Sequence, residues 1–549
     1  MRFKLLSPSD HSRSQHCIRS TGRLLPLVIL VFSLLAKPVQ SGAPLPPFLA
    51  DPGLAPDLVI NPDQGLGQCH WLEVAILSQP TVSWGYDAGE KVSSWVVIEP
   101  QQGTFDWAPL DGQIHKASDL GKRIWLELLT TEGQTPSWAR DAGVRLVGSR
   151  GGTPVPWDPV YQQLLRRAVH AMAARYDDDP TVDAINIMAG GCYGEMAICA
   201  RETDTEAWEQ AGYTDETFIA AVKQLIDIYL EEEYLWEDGT KTHGFLHTPV
   251  VLQLGGGLYG HTAAVIQPVV DYAMSTYGMR VWLKYNGLGG THDMEWIFSQ
   301  YSDVTRVGYE PAGTTTALEE DPRLYVQAAL DQHSSFLCLQ RSYFALTEPD
   351  WLQAREQAAL YLGTHILAQG MQAPASITSG QELILLSRWI NRGTVPLMRS
   401  QRQGSRDVPA SYDIWIGFVD PTTGVVAFEQ SFTPTPPTTE WYSSRSVSVE
   451  SLLTLPSSLP EGSYELRVSL VNPDLSDVDP ARHFNLLNTT LDDGQGRYRL
   501  GEIRVVHPTP VLQPTPTLTL IDSTPPQRTD SGLVRLLRAV WQWLLAIFQ

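Results

Sequence analysis

The chain has 549 residues, 43% hydrophobic and 18% charged, with 43 Gly, 39 Pro, 17 Trp and 5 Cys, which excludes a coiled coil, a disulfide-stapled miniprotein and a wholly disordered chain. It is acidic, with 39 Lys and Arg against 61 Asp and Glu; a surface of that sign repels phosphate backbones and argues against nucleic acid as a partner, whereas a neutral sugar is indifferent to it. At about 150 residues per domain, the length suits three or four domains, or one large barrel with an accessory module.

Residues 1–41 read as an address. Basic residues up to Arg23 precede an apolar run over 24–36, and small residues follow around Ser41 and Ala43. This is the pattern of a secretory signal cut near those positions. The alternative is an uncleaved anchor, although the run is shorter than the roughly 20 residues that span a bilayer. Both readings place the body outside the cytoplasm, secreted or at the cell envelope.

From about 70 to 345, short apolar runs alternate with longer helical or polar stretches, the rhythm of a βα repeat. Strands are predicted at 72–77 (or 82–86), 94–98, 123–128, 184–188, 250–254, 280–284, 306–309 and 336–339, with amphipathic helices over 161–176 and 217–231. Continuous apolar strands suit a parallel sheet covered on both faces. Such a set predicts a closed (β/α)8 TIM barrel within 42–372.

Beyond 372 the period becomes two. Tyr412, Ile414, Ile416 and Phe418 alternate with other residues, as do Tyr464, Leu466, Val468 and Leu470. With the runs at 383–390 and 503–506 these predict an antiparallel β-sandwich over 373–506. Residues 507–532, rich in Pro and Thr, read as an extended linker. Residues 533–549, with Arg535, Arg538, Trp541 and Trp543 among leucines, read as an amphipathic helix. Such a helix contacts a membrane or the cell envelope, docks on a partner, or packs on the sandwich.

In a barrel of this kind the working residues follow the strands at their C-terminal ends. Glu99, Glu127, Glu195, Tyr285, Asn286, Glu310 and Arg341 occupy such positions. Glu195 follows the fourth predicted strand and Glu310 the seventh, which face each other across a barrel mouth. Paired carboxylates are what glycosidic cleavage needs, one to protonate the departing oxygen and one to act at the anomeric carbon. Their environments must differ, so that one stays protonated and the other ionised. Trp84, Trp138, Trp282 and Tyr343 are candidate platforms for sugar faces, with core packing as the alternative. Glu99 and Glu127 have a structural alternative, bonded beneath the site.

The segment Ser-Trp-Val-Val-Ile-Glu-Pro-Gln-Gln-Gly-Thr-Phe-Asp-Trp at 94–107 resembles the second-strand region of family 42 type β-galactosidases, within the clan of retaining barrel glycoside hydrolases. Pro136-Ser137-Trp138 resembles the same family. Val155-Pro156-Trp157-Asp158-Pro159, Arg175-Tyr176-Asp177 and the stretch 190–195 look like a β-galactosidase-like group with a C-terminal sandwich, so the resemblance covers about residues 70–507. It implies Glu195 as acid/base, Glu310 as nucleophile, a β-linked galactoside or related glycan as substrate, and no metal or organic cofactor. One departure stands out: Gly194 precedes Glu195, where the clan has an Asn that binds the sugar 2-hydroxyl. Asn186 and Asn286 are candidate replacements. Tyr285 would orient the nucleophile, and Arg341 would hold it ionised.

Cys17 falls in the signal, leaving Cys69, Cys192, Cys199 and Cys338. A Cys192–Cys199 disulfide would brace the loop presenting Glu195, with two buried thiols as the alternative; a Cys69–Cys338 bridge would join neighbouring strands of a closed barrel. Spacing alone does not fix the pairing. No Cys-x-x-Cys or His-Glu-x-x-His segment supports a zinc site. The competing functional reading is a non-catalytic carbohydrate-binding or cell-surface protein on a degenerate hydrolase barrel, since barrels host many chemistries.

Overall fold

The computed structural model describes residues 64–507 apart from 71, 87–88, 90, 132, 149–151, 189–194, 199–203, 257, 261, 290–293, 312–322 and 444. The predicted signal, the linker beyond 507, the C-terminal helix, Cys192 and Cys199 therefore lie outside the described residues. Among those described, no helix is long and apolar enough to cross a membrane.

Eight parallel strands close on themselves: β1 (Gly65–Cys69), β2 (Val82–Tyr86), β3 (Arg123–Glu127), β4 (Val182–Asn186), β5 (Val250–Gly256), β6 (Val281–Leu288), β7 (Val307–Pro311) and β8 (Phe336–Gln340). Each pairs with its sequence neighbours, and β1 pairs with β8 to complete the (β/α)8 barrel. Side chains alternate along every strand. On β6, Leu283 and Tyr285 join the large cluster shared with the surrounding helices. Trp282 instead joins Trp84, Trp125, Val251, Phe336 and others in a separate apolar cluster that fills the lower barrel interior. Trp84 and Trp125 stack there with ring centroids 3.8 Å apart. The covering helices are capped conventionally: Asp158 accepts from Val160 N–H at the start of the helix Pro159–Tyr176, and Thr214 accepts from Thr217 N–H before Asp215–Leu230.

Of the first predicted strands, 82–86 forms as β2, whereas 72–77 and 94–98 do not form strands. The run 94–98 is a one-turn helix, Trp95–Ile98, and Val74–Leu77 is likewise helical. The first strand is Gly65–Cys69, whose two glycines weaken its sequence signal. Gly67 is glycine because a Cβ there would lie 2.2 Å from the Trp84 ring. The count stays at eight, so Glu195 still follows β4 and Glu310 sits within β7.

After the barrel, one sheet is formed by Ile366–Gln372, Glu382–Asn391 and Ser446–Thr454, and a second by Ser376–Thr378, Tyr498–Val506, Gly462–Val471, Asp413–Val419 and Val426–Phe432. They enclose a common apolar core that includes Trp389, Trp441, Ile416 and Leu466. Pairing is antiparallel apart from Ser376–Thr378 alongside Tyr498–Val506. The strand Ile366–Gln372 falls inside the 42–372 span assigned to the barrel from sequence, yet its hydrogen bonds go to Glu382–Asn391. A hairpin, Arg399–Gln403 with Arg406–Ala410, reaches back under the barrel. There Met279 N–H donates to Asp407 carbonyl at 3.0 Å, and Asp407 N–H to Tyr277 carbonyl at 3.1 Å.

Candidate active site

Above the aromatic layer the inward positions turn polar: Tyr86 on β2, Glu127 on β3, Asn186 on β4, Gln253 on β5, Lys284 and Asn286 on β6, Glu310 on β7 and Gln340 on β8. A layer of buried polar groups is tolerated only when its members bond to one another. Glu310, 3% exposed, is the hub. Lys284 Nζ donates to its Oε2 at 2.7 Å and also to Gln253 Oε1 at 3.1 Å. His70 Nε2 lies 2.6 Å from Glu310 Oε1, and Gln340 Nε2 donates to that same oxygen at 3.1 Å.

His70 immediately follows β1 with φ of 74°, a left-handed conformation uncommon for a non-glycine residue. Burial by itself would raise the Glu310 carboxyl, but Lys284 and then His70 outweigh it and hold the group well below the usual carboxylate range. Burial pushes the His70 imidazole down, and the Glu310 carboxylate overcomes that and leaves it above its ordinary value.

Glu195 lies just before a two-residue strand, Met196–Ala197, that pairs with the end of β5. It is half-buried. Asn286 Nδ2 donates to its Oε1 at 2.7 Å. Its Oε2 sits beside Gly255, where a Cβ would come within 3.1 Å of that oxygen and 2.9 Å of Ala197 Cβ. Desolvation raises Glu195 to about 7; the Asn286 bond opposes the shift and the charge of Glu310 adds to it. The two carboxylates thus stand in opposite electrostatic states, Glu310 ionised and Glu195 half-protonated near neutrality. Asn286 links them structurally, since it pairs in register with Glu310 across β6 and β7.

Glu127 is fully buried and accepts from the Tyr86 hydroxyl. Desolvation carries it to about 8, against the pull of Tyr86, His70, Lys284 and Asn186. Asn186, at the end of β4, is fully buried beside this pair.

Several residues singled out from the sequence serve elsewhere. Trp84 and Trp282, 0% and 6% exposed, are packed into the barrel interior and closed to a sugar ring. Tyr285 points outward, its ring 5.0 Å from that of Phe298 in the helix layer. Arg341 pairs with Glu73 at 2.9 Å, so the cations on Glu310 are Lys284 and His70 instead. Glu99 follows a helical turn, and its oxygens are committed to Trp95 Nε1, Gly103 N–H and Arg167. Trp138 donates to the Glu99 carbonyl at 2.8 Å and packs edge-on against Trp95. Tyr343 packs against Tyr325 and accepts at its carbonyl from Trp351.

His70, Tyr86, Gln253, Lys284 and Gln340 were not anticipated. Period-two reading of Trp282, Lys284 and Asn286 would have exposed Lys284 as an inward residue. Cys69 and Cys338 form a disulfide with Cα atoms 5.6 Å apart, joining β1 to β8.

A closed parallel barrel carrying paired, oppositely tuned carboxylates at its C-terminal rim has the architecture of a barrel glycoside hydrolase. The family model of glycoside hydrolase family 42, described as beta-galactosidase, matches residues 87–225. That segment runs from the end of β2 into the helix Asp215–Leu230 and includes Glu127, Asn186 and Glu195. That part of the barrel is therefore similar to family 42 glycoside hydrolases.

Similar solved structures include the beta-galactosidase of the psychrophilic Marinomonas ef1, at 16% identity and TM-score 0.34, covering 54% of this chain and 59% of that one. Another is the beta-galactosidase of Bacillus circulans sp. alkalophilus, at 12% and 0.36, covering 58% and 59%. A third is the catalytic domain of beta-amylase from Paenibacillus polymyxa, at 10% and 0.37, covering 55% and 98%. No curated protein matches this chain.

Proposed function

We propose that this protein is an exported retaining glycoside hydrolase acting on a β-linked galactoside or related glycan. The observation that carries the reading is the divergence of the two carboxylates, Glu195 raised to about 7 and Glu310 held low. Double displacement needs that division of labour. Glu310 attacks the anomeric carbon while the protonated Glu195 donates its proton to the departing oxygen. Glu195, now ionised, takes a proton from water, which attacks the glycosyl ester and frees Glu310. Asn286 fixes Glu195 in place, and Lys284 and His70 keep Glu310 ionised. No step calls on a metal or organic cofactor.

A binding-only barrel is the second reading, favoured by the same charge cluster. Lys284, His70 and Gln340 draw on both Glu310 oxygens, which reduces the electron density available for attack, and Gly194 stands where the clan has its Asn. The deciding experiment is a panel of nitrophenyl glycosides assayed on the wild type, Glu195→Gln and Glu310→Gln. Turnover by the wild type that both substitutions abolish supports the hydrolase; a folded wild type that binds glycans without turning over any member supports the binding protein. Export through residues 1–41 is tested by N-terminal sequencing of the mature protein. Envelope contact through 533–549 is tested by fractionating a chain lacking that segment.

A further inference from the structure

We propose that the Cys69–Cys338 disulfide is a positioning brace for the nucleophile. The inference rests on the hydrolase reading above and names the regulation of its geometry. Three observations converge. First, the bridge lies inside the barrel at the level of the reacting carboxylate: both cysteines are fully buried, and their sulfurs lie within 4.8 Å of a Glu310 oxygen.

Second, the two tied strands deliver two neighbours to one atom. His70 is the residue after Cys69, Gln340 is two beyond Cys338, and both meet Glu310 Oε1, at 2.6 and 3.1 Å. Third, His70 reaches that oxygen from a left-handed backbone, φ 74°. Such a conformation is strained for a non-glycine residue and persists when its surroundings over-determine it; a covalent tie on the preceding residue does so.

The barrel itself does not depend on the bridge to close, because β1 and β8 already share five residue pairs in parallel register. Loss of the bridge therefore acts on the position of His70 and Gln340 before it acts on the fold. A nucleophile misplaced by about 1 Å can cost on the order of 10²-fold in rate. Among the described residues, the other charged or titratable groups acting on Glu310 are Lys284 from β6, Glu195 beyond β4 and Tyr86 from β2, while Glu127 from β3 acts on His70. None of them neighbours either cysteine in sequence, although Tyr86 packs in the same buried cluster as both.

The test compares the wild type with the double variant Cys69→Ala and Cys338→Ala, both assayed in a chelator so that metal capture by thiols plays no part. A non-reducing peptide map first checks the Cys69–Cys338 link. Expected for the variant are a cooperative melt, kcat lower by about 10-fold or more with KM within about 2-fold, and an acid limb of the pH–rate profile moved to higher pH. Independently of turnover, 15N NMR of the histidines reports His70 titrating above its ordinary range in the wild type and returning towards it in the variant.

Should the variant fail to fold, wild type refolded with a phosphine reductant supplies the bridge-free state for both measurements. The proposal is overturned by absence of the linked peptide, or by an unchanged His70 titration with unchanged kcat. If the wild type turns over no glycoside, the hydrolase reading fails, and the His70 titration still decides whether the brace acts on Glu310.

Discussion

Replacing Lys284 by Met tests the electrostatic core of the site. Lys284 is fully buried, 2.7 Å from Glu310 Oε2, and Met matches its length without its charge. Removing one partner of a buried ion pair costs about 3–5 kcal/mol, because the remaining charge is left unpaired; His70 and Gln340 stay on the other oxygen and favour the lower end. The sign with pH follows from the direction of the shift. In the wild type the folded Glu310 lies below its unfolded value, so its contribution to stability is present at neutral pH and is lost only as pH falls through the depressed folded value. In the variant Glu310 rises and protonates under mild acid, which relieves the unpaired charge. Urea unfolding should therefore show a deficit of about 3 kcal/mol at pH 7 that shrinks towards pH 4. Activity should acquire an acid limb that the wild type lacks in that range. A deficit that is the same at both pH values, or below about 1 kcal/mol at pH 7, refutes the assignment of Lys284 as the cation holding Glu310 ionised.

Three further outcomes follow from the same geometry. Wild-type kcat/KM should decline as pH rises through about 7, where Glu195 loses its proton. In Asn286→Ala that basic limb should move upward, since the lost hydrogen bond favoured the ionised form; an unmoved limb would detach Asn286 from the acid/base. Glu127, raised by burial to about 8, holds a proton in the fold that the unfolded chain releases near 4.5. Its contribution to stability is therefore full below the unfolded value and is lost as pH rises through 8. Glu127→Gln should remove that slope and be more stable than wild type above pH 8, by up to about 5 kcal/mol, as read by denaturant titration at pH 6 and 9.

The sequence carried the barrel because βα alternation and apolar strands are properties of local composition. Of its first strands only the alternative 82–86 forms, and the misses at 65–69 and 94–98 have identifiable reasons. Gly65–Cys69 has glycine where the Trp84 ring needs space, so it lacks the β-branched signature. The run Trp-Val-Val-Ile has that signature but turns as a helix, with Trp95 N–H donating to the Leu129 carbonyl. Glu195 and Glu310 were legible because their strand numbers survived these exchanges. Period two marks Lys284 as inward, but its partner Glu310, like the role of a histidine after a cysteine, becomes evident only once the barrel closes and brings β1, β6, β7 and β8 together. Arg341 was assigned to Glu310 on strand number alone, and the short helix Arg341–Phe344 sends it to Glu73 instead.

The hairpin beneath the barrel bears on any attempt to isolate the catalytic half. Arg280, 4% exposed, gives hydrogen bonds to the carbonyls of Leu230 and Phe245 within the barrel and of Ser405 in the hairpin. Arg402 crosses the seam to the Leu246 carbonyl, and a Cβ on Gly278 would strike the Asp407 carbonyl oxygen at 2.0 Å. Truncation near residue 365 would open the barrel floor to water around a guanidinium that has lost one acceptor. The C-terminal sheets are thus a foundation for the barrel rather than a detachable appendage, and domain-swapped chimeras of this chain should be cut outside that joint.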